Sequence, residues 1–305
     1  MSTAVADPYA ARQLFTALFD DAALFPPGNT PMVRAVPAHL GYQDRADREL
    51  IGPFLCPASR LAELRSTLED DAFIDVQIVV DTGIAGLPDA IAAVTRDDRD
   101  PSVFQERGFE IALRAEADLG TAARRLVAAI QATDDYVMPS VFVEVPLTAT
   151  TSAALDVLAD YDVFAKLRTG GTNAEAHPSE DQVAEFILGC LDREVRFKCT
   201  AGLHHAVRNT DPLTGFEQHG FLNILLAVSV ALAGGDRAVV AAELADRDAA
   251  AVAERARLIS NDRATRIRRW FLSFGTCSIQ EPLDDLVALG VLPEDPADRA
   301  VVALG

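Results

Sequence analysis

The sequence predicts an α/β fold, a (β/α)8 TIM barrel formed as one domain over residues 1–305. Three observations carry this. Eight short β-rich runs alternate with helical patterns along the chain. Most successive runs lie roughly 20–35 residues apart, the length of a β-α unit. The chain is also long enough, since such barrels commonly run as one unit of about 250 residues or more. Alternation of this kind implies parallel strands joined by right-handed crossovers, and eight units favour a closed barrel over an open sheet.

The runs are Leu18–Phe25, Ile51–Cys56, Ile74–Val80, Phe109–Arg114, Val141–Val145, Val163–Leu167, Arg196–Thr200 and Trp270–Phe274. Between the sixth and seventh, Ser179-Glu-Asp-Gln182 has the form of a capping box, with the Ser hydroxyl taking an orphan N–H and Gln reaching back. It opens a helix that puts Val183, Phe186, Ile187, Cys190 and Leu191 on one stripe. Successive strands of a parallel βαβ unit are usually neighbours, so Lys166 and Lys198, on the flanking strands, are expected side by side. The seventh and eighth runs are separated by about twice the usual length. That stretch reads as one barrel helix plus a helical insertion over 234–262. Residues 294–305 read as a C-terminal tail.

Composition narrows the function. The formal net charge of −19 argues against non-specific binding to nucleic acid or to anionic membrane. The four cysteines, Cys56, Cys190, Cys199 and Cys277, show no C-x-x-C spacing, as expected of free thiols in a reducing cytosol. No signal-peptide pattern opens the chain, and the longest apolar run, Phe221–Ala233, is too short to span a bilayer. The expected location is the cytoplasm, and a homo-oligomer is compatible with all of this. Of the 27 basic residues all but Lys166 and Lys198 are arginine. Arginine cannot replace lysine where an amine must shed its proton and act as nucleophile or base, so the two lysines mark a candidate site.

Barrel active sites lie at the C-terminal ends of the strands. Those ends gather Asp20, Asp21, Cys56, Glu110, Arg114, Glu144, Lys166, Arg168, Lys198, His204, His205, Thr276 and Ser278. Three glycine turns follow the last three strands: Lys166-Leu-Arg-Thr-Gly-Gly171, Lys198-Cys-Thr-Ala-Gly202 and Phe274-Gly-Thr-Cys-Ser278. Glycine allows close approach of the backbone to a ligand, and helix N-termini offer free N–H groups to an anion.

Lys-x-x-Thr-Gly on strand six, Phe-Lys-x-x-x-Gly on strand seven and Phe-Gly-x-x-Ser on strand eight together resemble deoxyribose-phosphate aldolase, a class I aldolase. Weaker echoes are Asp20-Asp-Ala-Ala-Leu24, Phe54-Leu-Cys56-Pro and Phe109-Glu110-Ile. The resemblance implies a Schiff-base lyase with Lys166 as the imine-forming amine, Lys198 as its partner and the strand-eight turn as a phosphate site. The chain departs from that family at Gly171, where a lysine is usual, at Cys277 in place of a serine, and at Glu110 in place of Asp. His204 and His205 have no counterpart there.

The residues themselves give a matching chemistry. With Lys166 as the attacking amine that the resemblance implies, a second ammonium at Lys198 is expected to lower its pKa by like-charge repulsion. Glu110 or Glu144 relays protons. Asp20, Asp21, Arg114, Arg168, Gly170, Gly171, Gly202, His204, His205, Gly275, Thr276 and Ser278 line the substrate, a small carbonyl compound with an anionic or phosphorylated group. No metal or cofactor enters this scheme. Two rivals stand beside it. One is a metal-dependent hydrolase or lyase using His204, His205 and nearby carboxylates, although no H-x-H or H-E-x-x-H spacing is present. The other is a non-catalytic barrel in which Glu144–Lys166 and Glu110–Lys198 are structural ion pairs.

Overall fold

A computed structural model describes residues 9–69, 72–95, 104–113, 117–133 and 140–295. The barrel strands are Phe19–Asp21 (β1), Ile51–Pro57 (β2), Ile74–Val79 (β3), Phe104–Ala112 (β4), Val141–Glu144 (β5), Phe164–Arg168 (β6) and Phe197–Thr200 (β7). A small antiparallel hairpin follows, Asn209–Thr210 (β8) with Glu217–Gln218 (β9). The eighth barrel strand is Phe271–Thr276 (β10). The strands close in the order β1-β10-β7-β6-β5-β4-β3-β2, each parallel to its neighbours.

Strand pleating sends alternate side chains to opposite faces, and here the two faces differ sharply in chemistry. The outward residues form the apolar core against the helices. Phe19 and Phe274 pack on Phe221 of the helix Phe221–Leu232, at ring separations of 5.8 and 5.3 Å. Phe197 meets Phe186 of the helix Glu180–Asp192 edge to face at 5.6 Å. Each such ring, fully buried, contributes about 1.5–3 kcal/mol by leaving water. The inward residues include Asp20, Asp75, Gln77, Glu110, Glu144, Lys166, Lys198 and Ser273. Barrel interiors are usually filled by Val, Ile and Leu.

The helix before β7 is capped as its sequence predicts: Ser179 Oγ accepts from Gln182 N–H at 3.3 Å, and Gln182 Oε1 accepts from Ser179 N–H at 2.9 Å. Cys190 is fully buried on the core stripe. Between β7 and β10 run the helices Phe221–Leu232, Arg237–Ala245, Ala249–Arg257 and Asn261–Trp270. Trp270 therefore ends a helix and does not begin the last strand. Residues 296–305, most of the expected tail, lie outside the described residues. No helix among the described residues is long and apolar enough to cross a membrane.

Two strands depart by more than two residues at one end from their sequence pattern. The first stops at Asp21, not Phe25, because Asp21 Oδ1 accepts from Ala23 N–H at 3.0 Å and turns the chain. The fourth starts at Phe104, five positions early, and carries a bulge: Val76 pairs with Glu106 but Gln77 with Gly108. Gly108 has φ +152°, and a Cβ there would sit 2.5 Å from the Ser140 carbonyl oxygen. Gly108→Ala is expected to destabilise the protein by about 2 kcal/mol, from backbone strain plus that clash. A urea midpoint unchanged from wild type would show that the bulge tolerates a side chain.

Candidate active site

The barrel places the two lysines as the sequence reading requires. Lys166 and Lys198 are register partners on β6 and β7. Their side chains are 6% and 2% exposed, so both ammoniums sit inside the barrel. Glu110 reaches in from β4 and bridges them, with Lys166 Nζ donating to Oε2 at 2.8 Å and Lys198 Nζ to Oε1 at 2.5 Å. On the far side of Lys166, Glu144 Oε2 lies 3.0 Å from Nζ, and Glu144 Oε1 accepts from Arg168 Nε at 2.8 Å. On the far side of Lys198, Asp20 Oδ2 accepts from Nζ at 2.5 Å and from Ser273 Oγ at 2.7 Å. The result is a ladder of alternating charge, Asp20–Lys198–Glu110–Lys166–Glu144–Arg168. Arg168, half-exposed, ends it at the C-terminal end of β6.

Electrostatics in the ladder reverses one expectation. Burial alone would push Glu110 up, but the ammoniums of Lys166 and Lys198 outweigh it and hold the carboxyl down at about 2. Glu144 is likewise lowered, since Lys166 and Arg168 overcome its burial. Burial would lower both lysines, yet the carboxylates win. Glu110 and Glu144 raise Lys166 above its ordinary value, and Asp20 and Glu110 raise Lys198. Lys198 does repel the proton on Lys166, but more weakly than these carboxylates attract it. Lys166 therefore rests as an ammonium, whereas like-charge repulsion alone predicted a lowered pKa. Asp20 moves the other way: burial raises it despite Lys198 and Ser273.

The remaining candidates are placed elsewhere. Asp20 and Asp21 are neighbours in sequence, but the pleat turns them to opposite faces. Asp21 Oδ2 accepts from His39 Nδ1 at 3.0 Å, and His39 Nε2 accepts from Gln43 Nε2 at 3.2 Å. His204 Nδ1 donates to Glu281 at 3.1 Å and His205 Nδ1 to Asp285 at 3.2 Å. The two rings thus turn to separate carboxylates of the helix Gln280–Ala288. Among the described residues no group of three or more His, Cys, Asp or Glu is arranged to hold a metal ion. Cys277 Sγ stands 3.8 and 4.0 Å from the two ring nitrogens of His204, too evenly placed to donate in line to either. Burial also pushes the Cys277 thiol up, which leaves it a poor nucleophile.

The glycine turns pack closely against neighbouring backbone and side chains. A Cβ at Gly170 would lie 2.9 Å from Gly202 N, so the turns after β6 and β7 pack backbone to backbone. There Ala201, Gly202 and Leu203 all have positive φ, of 61°, 72° and 57°, and Thr169 Oγ1 donates to Ala201 O at 2.6 Å. Side chains at Gly171 and Gly275 would meet Ala176 and Leu55. Thr276 Oγ1 donates to Ser278 O, and Ser278 Oγ accepts from Glu281 N–H. Arg114 lies outside the described residues. The sequence reading missed His39, Ser273 and Gln77. The last two lie on the inward face of their strands, and that alternation was the one available signal.

Fold and site together define a parallel α/β barrel with a buried lysine–carboxylate ladder inside it. No family model matches the chain, and no curated protein or solved structure does.

Proposed function

We propose that the protein is a Schiff-base lyase of the class I aldolase type, with Lys166 as the amine that condenses with a small carbonyl substrate. The observation that carries this is the pairing of the chain's only two lysines inside the barrel, joined by one carboxylate. Lys166 first passes a proton to Glu144, 3.0 Å away, and the freed lone pair of Nζ attacks the carbonyl carbon. The C=O electron pair moves to oxygen, which takes that proton back from Glu144 and a second one from the nitrogen and leaves as water. The product is an iminium, which carries the same positive charge as the ammonium it replaces. The ladder therefore keeps its alternation through the reaction, and Glu110 and Glu144 stabilise the developing cation in place. Lys198 stays charged and holds Glu110 ionised. Arg168, beside Glu144, supplies the positive charge that an anionic substrate needs against a net charge of −19.

Incubation with acetaldehyde, glyceraldehyde or pyruvate and then borohydride is expected to leave a reduced adduct on Lys166. The adduct is found by intact mass and peptide mapping and is absent from Lys166→Arg. Its yield rises with pH toward the raised pKa of Lys166, because only the free amine attacks. A panel of aldehydes and keto acids that leaves Lys166 unmodified at every pH up to 9.5 overturns the proposal. One observation favours a second reading. Both ammoniums are held more firmly protonated than a free lysine, as in a structural ion-pair ladder. On that reading Lys166 never yields an adduct, and the ladder acts only in folding.

A further inference from the structure

The opposite end of the barrel holds a cavity of about 400 Å3, within the range of small-molecule sites. Asp20, Asp75, Gln77, Phe142, Lys198 and Ser273 line it, all from the inward faces of their strands. Three side-chain atoms here are buried and have no hydrogen-bond partner among the described residues: Asp20 Oδ1, Asp75 Oδ1 and Gln77 Nε2. Gln77 is only 3% exposed, and buried amides of that kind are normally hydrogen-bonded. Each carboxylate is half used. Asp20 Oδ2 takes Lys198 and Ser273, and Asp75 Oδ2 takes Arg107 at 2.8 Å. Gly52 keeps the space beside Asp20 open, since a Cβ there would fall 2.1 Å from Oδ1.

We propose that this cavity is a binding site for a small uncharged polyol. A hydroxyl is the group that both donates and accepts. It can give its proton to Asp20 Oδ1 or Asp75 Oδ1 and take the N–H of Gln77 on the same oxygen. An anion meets two bare carboxylate oxygens, and a simple cation leaves the Gln77 donor unused. The Phe142 ring offers an apolar wall for the C–H edges of such a ligand. The site faces Lys198 and does not include Lys166, so its occupancy is tested separately from adduct formation on Lys166.

Isothermal titration of the full-length protein with ribitol, D-xylose, methylammonium chloride and sodium phosphate tests this. Saturable binding of ribitol or xylose is expected. Gln77→Met, which keeps the volume and removes the donor, weakens it about tenfold or more, as does Asp75→Asn at the rim. Binding survives in Lys166→Arg. If Gln77→Met does not fold, Asp75→Asn carries the comparison, because its carboxylate is part-exposed and paired with the surface residue Arg107. Binding of methylammonium or phosphate in place of the polyols overturns the proposal. So does the absence of polyol binding, or polyol binding indifferent to the cavity substitutions.

Discussion

Lys198→Met is expected to lose about 3–5 kcal/mol of stability, the usual result of removing one partner from a buried ion pair. Methionine reproduces most of the stem, so packing changes little and the loss reports charge. It leaves Asp20 without its cation and Glu110 with Lys166 alone. Asp20, already raised by burial, then takes up a proton to escape, so the loss is smaller at pH 5 than at pH 8. Adding Asp20→Asn to Lys198→Met should recover part of it. Urea unfolding of the two variants and wild type measures all three quantities. A single-variant loss under about 1 kcal/mol would mean that the ladder is energetically neutral, as some buried pairs are.

Acid should weaken the fold through Glu110. Its carboxyl lies at about 2 in the folded protein against an ordinary 4.5. A carboxylate depressed on folding contributes stability that is fully present above pH 4.5 and lost as pH falls through 2. The amount is about 3 kcal/mol. Glu144 adds in the same direction, while Asp20, raised on folding, favours the fold as pH falls and offsets part of the loss. The raised lysines act only above their ordinary 10.5 and leave this window alone. Urea midpoints at pH 5.5, 4 and 3 should drop steeply for wild type and less for Glu110→Gln, which starts lower but has no proton to take up there. Parallel slopes for the two proteins would show that Glu110 is not depressed.

The barrel was legible because its signal is periodic. Apolar runs spaced by one β-α unit mark strands whatever their neighbours are, and Val141–Val145 or Val163–Leu167 match the observed strands to within a residue or so. Strand starts at the open rim were not legible. Gln105, Glu106 and Arg107 are polar and exposed or half-buried, so they read as loop although Gln105 and Glu106 pair with β3. The meeting of Lys166 and Lys198 followed from neighbouring strands and matching positions. Its consequence for their protons did not, because that depends on which side chains lie between and beside them. Glu110 arrives from two and three strands away, which local spacing does not encode. The cavity around Gln77 was hidden for the same reason: an unpaired amide shows itself only when the whole interior is assembled.

Because both lysines are enclosed, every cationic side chain on the described surface is a guanidinium. Bulky acylating labels, lysine-directed crosslinkers and lysine-specific proteases meet no exposed ε-amine on the folded barrel. Their reaction at positions 166 and 198 becomes a clock for the breathing of the strands that shield them.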